Sequence, residues 1–264
     1  MKITGIIPAG GSATRISPLP CSKEIIPMGF RKTADGKKKP KVVSHYLLEK
    51  YKIGGAERVF FILKPGKWDI PTYYLDGQII DMPAAYLTMD LPYGVPYTID
   101  QAYPFIKEDH IMLGFPDILF RGKHIFQHKK EVMVKLNADI VLGLFPVADA
   151  HQAAKCDMVD WDESSNTIRQ IIIKPQTTTL NKCWLTAFWK PDFTSFMHQF
   201  LKSDLQNRKR NPQLPEIFMG HVIQTAMKEN FIIKGVYFKN EKYIDIGTPE
   251  DFARAQQGYL TDLY

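Results

Sequence analysis

The stretch from Ile7 to Pro27, IPAGGSATRISPLPCSKEIIP, puts two adjacent glycines, an arginine and a lysine into one short segment. Gly10 and Gly11 let the backbone come close to a ligand, and Ala9, Ser12, Ala13 and Thr14 are small. Several N–H groups can therefore point at one polyphosphate. Arg15 and Lys23 add fixed positive charge to the same place. The chemistry this suits is nucleotide binding by residues Ala9 to Thr14, with neutralisation of phosphate charge by the two cations. The spacing is neither G-x-x-x-x-G-K-[ST] nor G-x-G-x-x-G. Paired glycines also serve ordinary turns, so the rest of the chain carries weight.

Four further segments hold residues that could complete such chemistry. GVPYTIDQAYPFI, from Gly94 to Ile106, opens on a glycine before a helical pattern, and HIMLGFPDILF, from His110 to Phe120, places Asp117 just after a strand-like run. IIIKP ends a second run with Lys174, and YIDIGTPEDFARA presents Asp245 before Gly247, Thr248 and Pro249. Each has a plainer explanation. A single aspartate after a strand commonly shapes a turn, a lysine before proline can be an ordinary surface residue, and Thr248 with Pro249 is a helix start.

Taken together and in order, these motifs resemble the sugar-nucleotidyltransferases, of which glucose-1-phosphate thymidylyltransferase is one. Their loop reads close to L-A-G-G-x-G-T-R-L-x-P-x-T, followed by a lysine before L-L-P. The resemblance covers nearly the whole chain. It implies an α/β, Rossmann-like three-layer nucleotide-diphospho-sugar transferase fold with a mixed, mostly parallel central sheet. It also implies condensation of an NTP with a phosphorylated small-molecule acceptor, of the sugar 1-phosphate kind, with release of pyrophosphate. By the same resemblance Arg15, Lys23 and Lys174 are the catalytic cations, Gly94 belongs to the base-side glycine loop, and Asp117 and Asp245 hold Mg²⁺. The rival is a non-catalytic relative that binds nucleotide or nucleotide-sugar for regulation. A glycosyltransferase would offer a D-x-D metal motif, and Asp160–Trp161–Asp162 fits that string without the required context.

Departures from the family pattern bear on specificity. The glutamate that precedes the family's lysine is Ile173 here, and Asp157 stands where a glycine lets a sugar ring lie against backbone. Glucose 1-phosphate is accordingly expected to be a poor acceptor. A base-reading glutamine falls near Met89, and Phe115–Pro116 are extra residues before Asp117.

These residues need a scaffold, and the pattern supplies βα units around a sheet. Strands are expected at Thr4–Pro8, Arg58–Leu63, His110–Gly114, and Val132–Leu136 or Ile140–Phe145. Later ones fall at Met158–Trp161, Thr167–Ile173, Trp184–Trp189 and Phe231–Phe238. Helices are expected at Val43–Tyr51, Pro215–Lys228 and Pro249–Gln256, while Lys64 to Pro96 reads as an irregular edge of the nucleotide cleft.

Length and composition suit one domain spanning residues 1–264, and the resemblance implies that it is a nucleotidyltransferase domain without the hexapeptide β-helix some family members carry. With 45% hydrophobic and 23% charged residues the composition is globular, and no run approaches the ~18 apolar residues of a membrane span. Cys21, Cys156 and Cys183 are few and scattered, as in a reduced, cytoplasmic protein. The net charge of +6 lies largely in Arg31–Lys41 and Arg208–Lys209–Arg210, which read as solvated loops without interleaved aromatics. Neither a nucleic acid nor a membrane partner is expected, and a homo-oligomer is left open.

Overall fold

A computed structural model describes residues 1–33, 35–89 and 93–259. Asp90 to Pro92, within the stretch expected to be irregular, and Ala34, within the first basic cluster, lie outside the described residues.

The strands are β1 (Ile3–Ala9), β2 (Pro27–Lys32), β3 (Lys38–Val42), β4 (Arg58–Leu63), β5 (Ala84–Thr88), β6 (His110–Gly114) and β7 (Ile118–Phe120). They continue with β8 (Ile140–Pro146), β9 (Asp157–Asp162), β10 (Thr167–Ile173), β11 (Lys182–Trp189), β12 (Ile233–Tyr237) and β13 (Tyr243–Asp245). Nine of them form one sheet in the order β5-β4-β1-β6-β11-β8-β12-β10-β9. Only β10 and β11 run against the direction of the others, so the sheet is mixed and mostly parallel.

Helices cover both faces, because the strands alternate apolar side chains to two sides. Along β1, Ile3, Ile7 and Ala9 join a core with Leu47, Leu48 and Tyr51 of helix His45–Gly54 and Phe126 of helix Ile125–Lys135. Ile6 points the other way, into a core with Phe193, Met197 and Leu201 of helix Pro191–Arg210 and Val222 and Ile223 of helix Met219–Lys228. Three layers result. No helix among the described residues is long and apolar enough to cross a membrane.

Several expectations are corrected. Val132 to Lys135 belong to helix Ile125–Lys135, whose buried Ile125, Phe126, Lys129 and Met133 follow a helical face, and the strand is β8. Pro215 to Phe218 lie outside the helix that begins at Met219. The first basic cluster is not a loop: it forms the β2–β3 hairpin, with Lys41 buried. The second ends a 20-residue helix, and Arg208 is buried, donating to Asp204 and to the carbonyls of Leu214 and Pro215. Lys64 to Pro96 hold the helix Asp69–Tyr74 and the edge strand β5.

At the amino-terminal ends of the parallel strands, Asp109 fastens β1 to β4. Its carboxylate accepts from Thr4 Oγ1 at 2.6 Å and Arg58 Nη2 at 2.7 Å, and its side chain is 2% exposed. Burial pushes this carboxyl up, but the Thr4 and Arg58 donors outweigh it and hold its pKa below the usual value. Asp109→Ala should therefore cost about 2–3 kcal/mol in denaturant melts at pH 7. A depressed folded pKa stabilises above the unfolded value and loses that stabilisation as pH falls through the folded one. The gap between wild type and variant should close below about pH 4. An equal gap at pH 3 and pH 7 would refute the ionic part of the account.

Candidate active site

The connections from β1 run outward on one side to β4 and β5, while β6 lies on its other side. The strand order thus reverses between β1 and β6, and the crevice beyond their carboxyl ends is where open α/β sheets bind ligands. Ala9 ends β1 there, and Gly114 ends β6 beside it.

The loop after β1 leads straight out of that crevice. A Cβ on Gly10 would meet Thr98 Oγ1 at 3.3 Å, which is tight. One on Gly11 would meet nothing within 4 Å, and Gly11 does not have a positive φ. The fold makes no demand for glycine at 11; what a side chain would obstruct there is the approach of a ligand. Ala13 has φ +52°, and its carbonyl accepts from Ile16 N at 3.1 Å and Ser17 Oγ at 3.0 Å, which turns the chain back and leaves Ser12, Thr14 and Arg15 exposed. Lys64, the first residue after β4, donates to Ser12 Oγ at 2.8 Å. This third cation escaped sequence reading, since only the sheet order puts the ends of β1 and β4 side by side.

The two carboxylates meet through a small second ladder. β7 pairs antiparallel with β13, so that Asp245 stands opposite Ile118 and Ile246 N donates to the Asp117 carbonyl at 3.1 Å. Lys23, in the 3₁₀ turn Lys23–Ile25, reaches in and donates from Nζ to Asp117 Oδ2. Lys23 and Asp117 side chains are 14% and 19% exposed. Burial pushes the Asp117 carboxyl up, but the Lys23 ammonium overcomes it and holds the pKa below the usual range. Asp245 goes the other way: burial, and then the Asp117 charge, push it up to about 6. A carboxylate that feels its neighbour's charge in this way favours a cation beside the pair.

Arg15 approaches the same pair. A Cβ on Gly247 would fall 2.8 Å from Arg15 Nη2 and 2.9 Å from Asp245 Oδ1, so the glycine leaves room for both. Gly247 N donates to Asp245 Oδ1 at 2.8 Å. Thr248 caps helix Pro249–Arg254 by accepting from Asp251 N at 3.3 Å, as the sequence pattern anticipates.

A cavity of about 810 Å³ opens beside the carboxylates, and Asp117, Asp245, Lys174 and Asp157 all line it. Lys174 leaves β10 at φ +41°, and its Nζ lies 3.7 Å from the Phe218 ring centroid. Gly94 is outside that lining. Its φ is +117° and a Cβ would be 2.0 Å from the Ile217 carbonyl oxygen, so packing alone requires glycine there. Residues Gly10 to Arg15 also lie outside the lining. Met89 is buried beside Gly10 and accepts weakly from Thr98 Oγ1. In the D-x-D string, Asp162 is tied to Ser164 and Arg169 at a strand end, where it shapes a turn.

Among the described residues no three His, Cys, Asp or Glu side chains are grouped as a metal site. Asp117 and Asp245 are nevertheless hard oxygen donors of the kind Mg²⁺ takes, and substrate phosphates and water would complete its shell.

Comparison with known proteins adds the following. The profile of the family described as "Nucleotidyl transferase" matches residues 4–262. No curated protein matches the chain by sequence. Among solved structures, a protein described as a glucose-1-phosphate thymidylyltransferase from Bacillus anthracis, in complex with sucrose, superposes with a TM-score of 0.78. It is 16% identical over 97% of this chain and 94% of that one. A UDP-glucose pyrophosphorylase complexed with UDP-glucose gives 0.77 at 17% identity over 99% and 100% of the two chains. The inositol-1-phosphate CTP transferase from T. maritima gives 0.70 at 19% identity over 97% and 95%. At these identities the likeness is one of fold.

Proposed function

This chain belongs to the nucleotidyl transferase family, and we propose that it condenses an NTP with a phosphorylated small molecule of the sugar 1-phosphate kind, releasing pyrophosphate. The observation that carries the reading is the convergence of Asp117, Asp245 and Lys174 on one cavity, with Lys23 donating to Asp117 and Arg15 close to Asp245 from outside its lining. A module that only bound nucleotide would have no evident need for both carboxylates.

An acceptor phosphate oxygen attacks the α-phosphorus in line and pyrophosphate leaves, so positioning and charge neutralisation supply most of the catalysis. Residues Ala9 to Thr14 hold the triphosphate through backbone N–H groups. Arg15 and Lys23 meet the charge that grows on the leaving pyrophosphate. Lys174 holds the acceptor phosphate. Asp117 and Asp245 would hold Mg²⁺, which would supply neutralisation of phosphate charge there. Lys23 Nζ donates to Asp117 Oδ2, and in this reading it exchanges that carboxylate for phosphate as substrate enters.

Residues 1–264 act as one unit in this reading. Its support is that the sheet takes strands from Ile3 to Tyr237 and the site takes residues from Ala9 to Asp245. Cytoplasmic residence is part of the same reading, and its support is the family match.

The test is pyrophosphate release from each of the common NTPs against a panel of sugar and polyol phosphates. Release should require both substrates and a divalent cation, and should vanish on chelation. Nucleotide binding with no release for any pair would leave the regulatory-binding reading in its place.

A further inference from the structure

Cys156 and Cys183 are distant in sequence, but the sheet brings their thiols onto one hydroxyl. Met158 pairs with Cys183 across β9 and β11, and Cys156, two residues before Met158, occupies the bend that leads into β9. Both sulfurs reach the Tyr243 hydroxyl: Cys183 Sγ donates to it at 3.4 Å, and Cys156 Sγ lies 3.2 Å from it. The two thiols differ in access. Cys156 is half-buried and lines the cavity, whereas Cys183 is fully buried and outside that lining.

A cysteine that only packs behaves as a small apolar side chain and has no need of a second thiol within hydrogen-bond reach. Here the surroundings give the two sulfurs different chemistry. A hydrogen bond from Cys183 holds the Cys156 thiol below its usual pKa, and the Tyr243 hydroxyl acts in the same sense while burial opposes both. Burial pushes the Cys183 thiol well up. Cys21, the remaining cysteine, is raised too, by burial and then by the Asp69 and Glu24 charges. Since the thiolate is the reactive form, Cys156 is the sulfur that an oxidant entering the cavity would meet and attack. Nucleotidyl transfer uses no thiol, so the mechanism leaves this pair unexplained.

We propose that Cys156 and Cys183 form an oxidative modification site, in which hydrogen peroxide entering the cavity oxidises Cys156 and Cys183 closes a disulfide onto it. The Cys156 sulfur attacks one peroxide oxygen and the O–O bond breaks. A sulfenic acid forms, and the departing hydroxide takes up the Cys156 proton as water. The Cys183 sulfur then attacks the sulfenic sulfur, an S–S bond replaces the S–O bond, and the released hydroxide takes the Cys183 proton as a second water. Two thiols are oxidised to one disulfide, and the peroxide is reduced to water. Cys156 takes no part in the β9 ladders, so the sulfurs meet without breaking a strand pairing. A disulfide has no S–H to donate, so the Cys183 hydrogen bond to Tyr243 is lost. Tyr243 shares β13 with Asp245, and through that short strand oxidation disturbs the carboxylate pair. This effect on turnover rests on the nucleotidyl-transfer reading, whereas the thiol chemistry does not. In a reducing compartment such a disulfide is transient and serves as a sensor.

Reduced full-length protein would be treated with hydrogen peroxide, its remaining thiols alkylated, and its peptides mapped by mass spectrometry. The expected product is a linked Cys156–Cys183 peptide, lighter than its two parts by the hydrogens lost from the thiols, with Cys21 still alkylated. Cys183→Ala removes the resolving thiol and should hold Cys156 as a sulfenic acid that dimedone traps. Cys156→Ser should give neither product. Pyrophosphate release by oxidised wild type should fall by roughly 10- to 100-fold, as when a catalytic group is misplaced, and return with dithiothreitol. A wild-type protein in which Cys156 and Cys183 never link, or in which Cys21 is oxidised first, would overturn the site. An active enzyme whose linked form keeps full turnover would overturn the effect on catalysis. A protein that links the pair but releases pyrophosphate from no NTP and acceptor would leave the modification site standing and remove the nucleotidyl-transfer reading.

Discussion

Asp117→Asn and Asp245→Asn are each expected to lower turnover by about 10³-fold, the upper end of what removing one fixed charge-stabilising group costs. Asparagine keeps the size and much of the hydrogen bonding of aspartate, so the loss is one of charge. Asp245 accepts from Gly247 N at 2.8 Å, which an amide oxygen can still do. The stability of the two variants should separate function from architecture. Asp245 is strained by burial and by the Asp117 charge, which push its pKa up to about 6. A raised carboxyl pKa favours the protonated form in the folded state, so the ionised form costs stability once pH passes above the folded value. Asp245→Asn in metal-free protein should thus melt no lower than wild type at pH 7–8, and that advantage should shrink below about pH 5. Asp117→Asn should melt lower, because it strips the partner from Lys23. Steady-state pyrophosphate release together with thermal melts at two pH values measures all of this. Near-normal turnover in either variant would remove the carboxylates from the catalytic assignment.

Lys23→Ala and Arg15→Ala should each cost about 10²-fold in turnover, or about 3 kcal/mol, as when one donor to developing charge is removed. Their structural consequences differ. Arg15 is exposed on the loop and its truncation should leave the melting temperature alone. Lys23 is largely buried and ion-paired, so Lys23→Ala leaves the Asp117 carboxylate without its ammonium partner and should lose about 1–3 kcal/mol of stability as well. Added divalent cation should return part of that stability, since it supplies the missing charge. A Lys23→Ala protein as stable and as active as wild type would mean that the Lys23–Asp117 pair is incidental.

Local sequence was enough wherever a structure is determined within a few neighbouring residues. The apolar run into Gly10–Gly11 specifies a strand followed by a loop, and β4, β6 and β10 have the bounds their β-branched and apolar runs imply. Thr248 and Pro249 start a helix for reasons contained in four residues. Where burial decided, local reading failed. Val132 to Leu136 look like a strand, but Ile125, Phe126, Lys129 and Met133 share one helical face that packs on the sheet. Helix Pro191–Arg210 gives little local signal, because Phe193, Met197 and Leu201 are diluted by polar neighbours and Arg208 is drawn inside only by Asp204 and two carbonyls.

The site divides along the same line. The residue types at Arg15, Lys23, Asp117, Lys174 and Asp245 are legible in sequence because each lies in a motif of fixed spacing. Their proximity is not, because it depends on pairings between residues distant in the chain. The β7–β13 ladder brings Asp245 to Asp117, the place of β4 beside β1 brings Lys64 to Ser12, and the β9–β10 register puts Asp157 across from Ile173. The single sequence names the chemical groups, since those are covalent. Which of them share one cavity follows from long-range strand register and burial, which only the folded chain possesses.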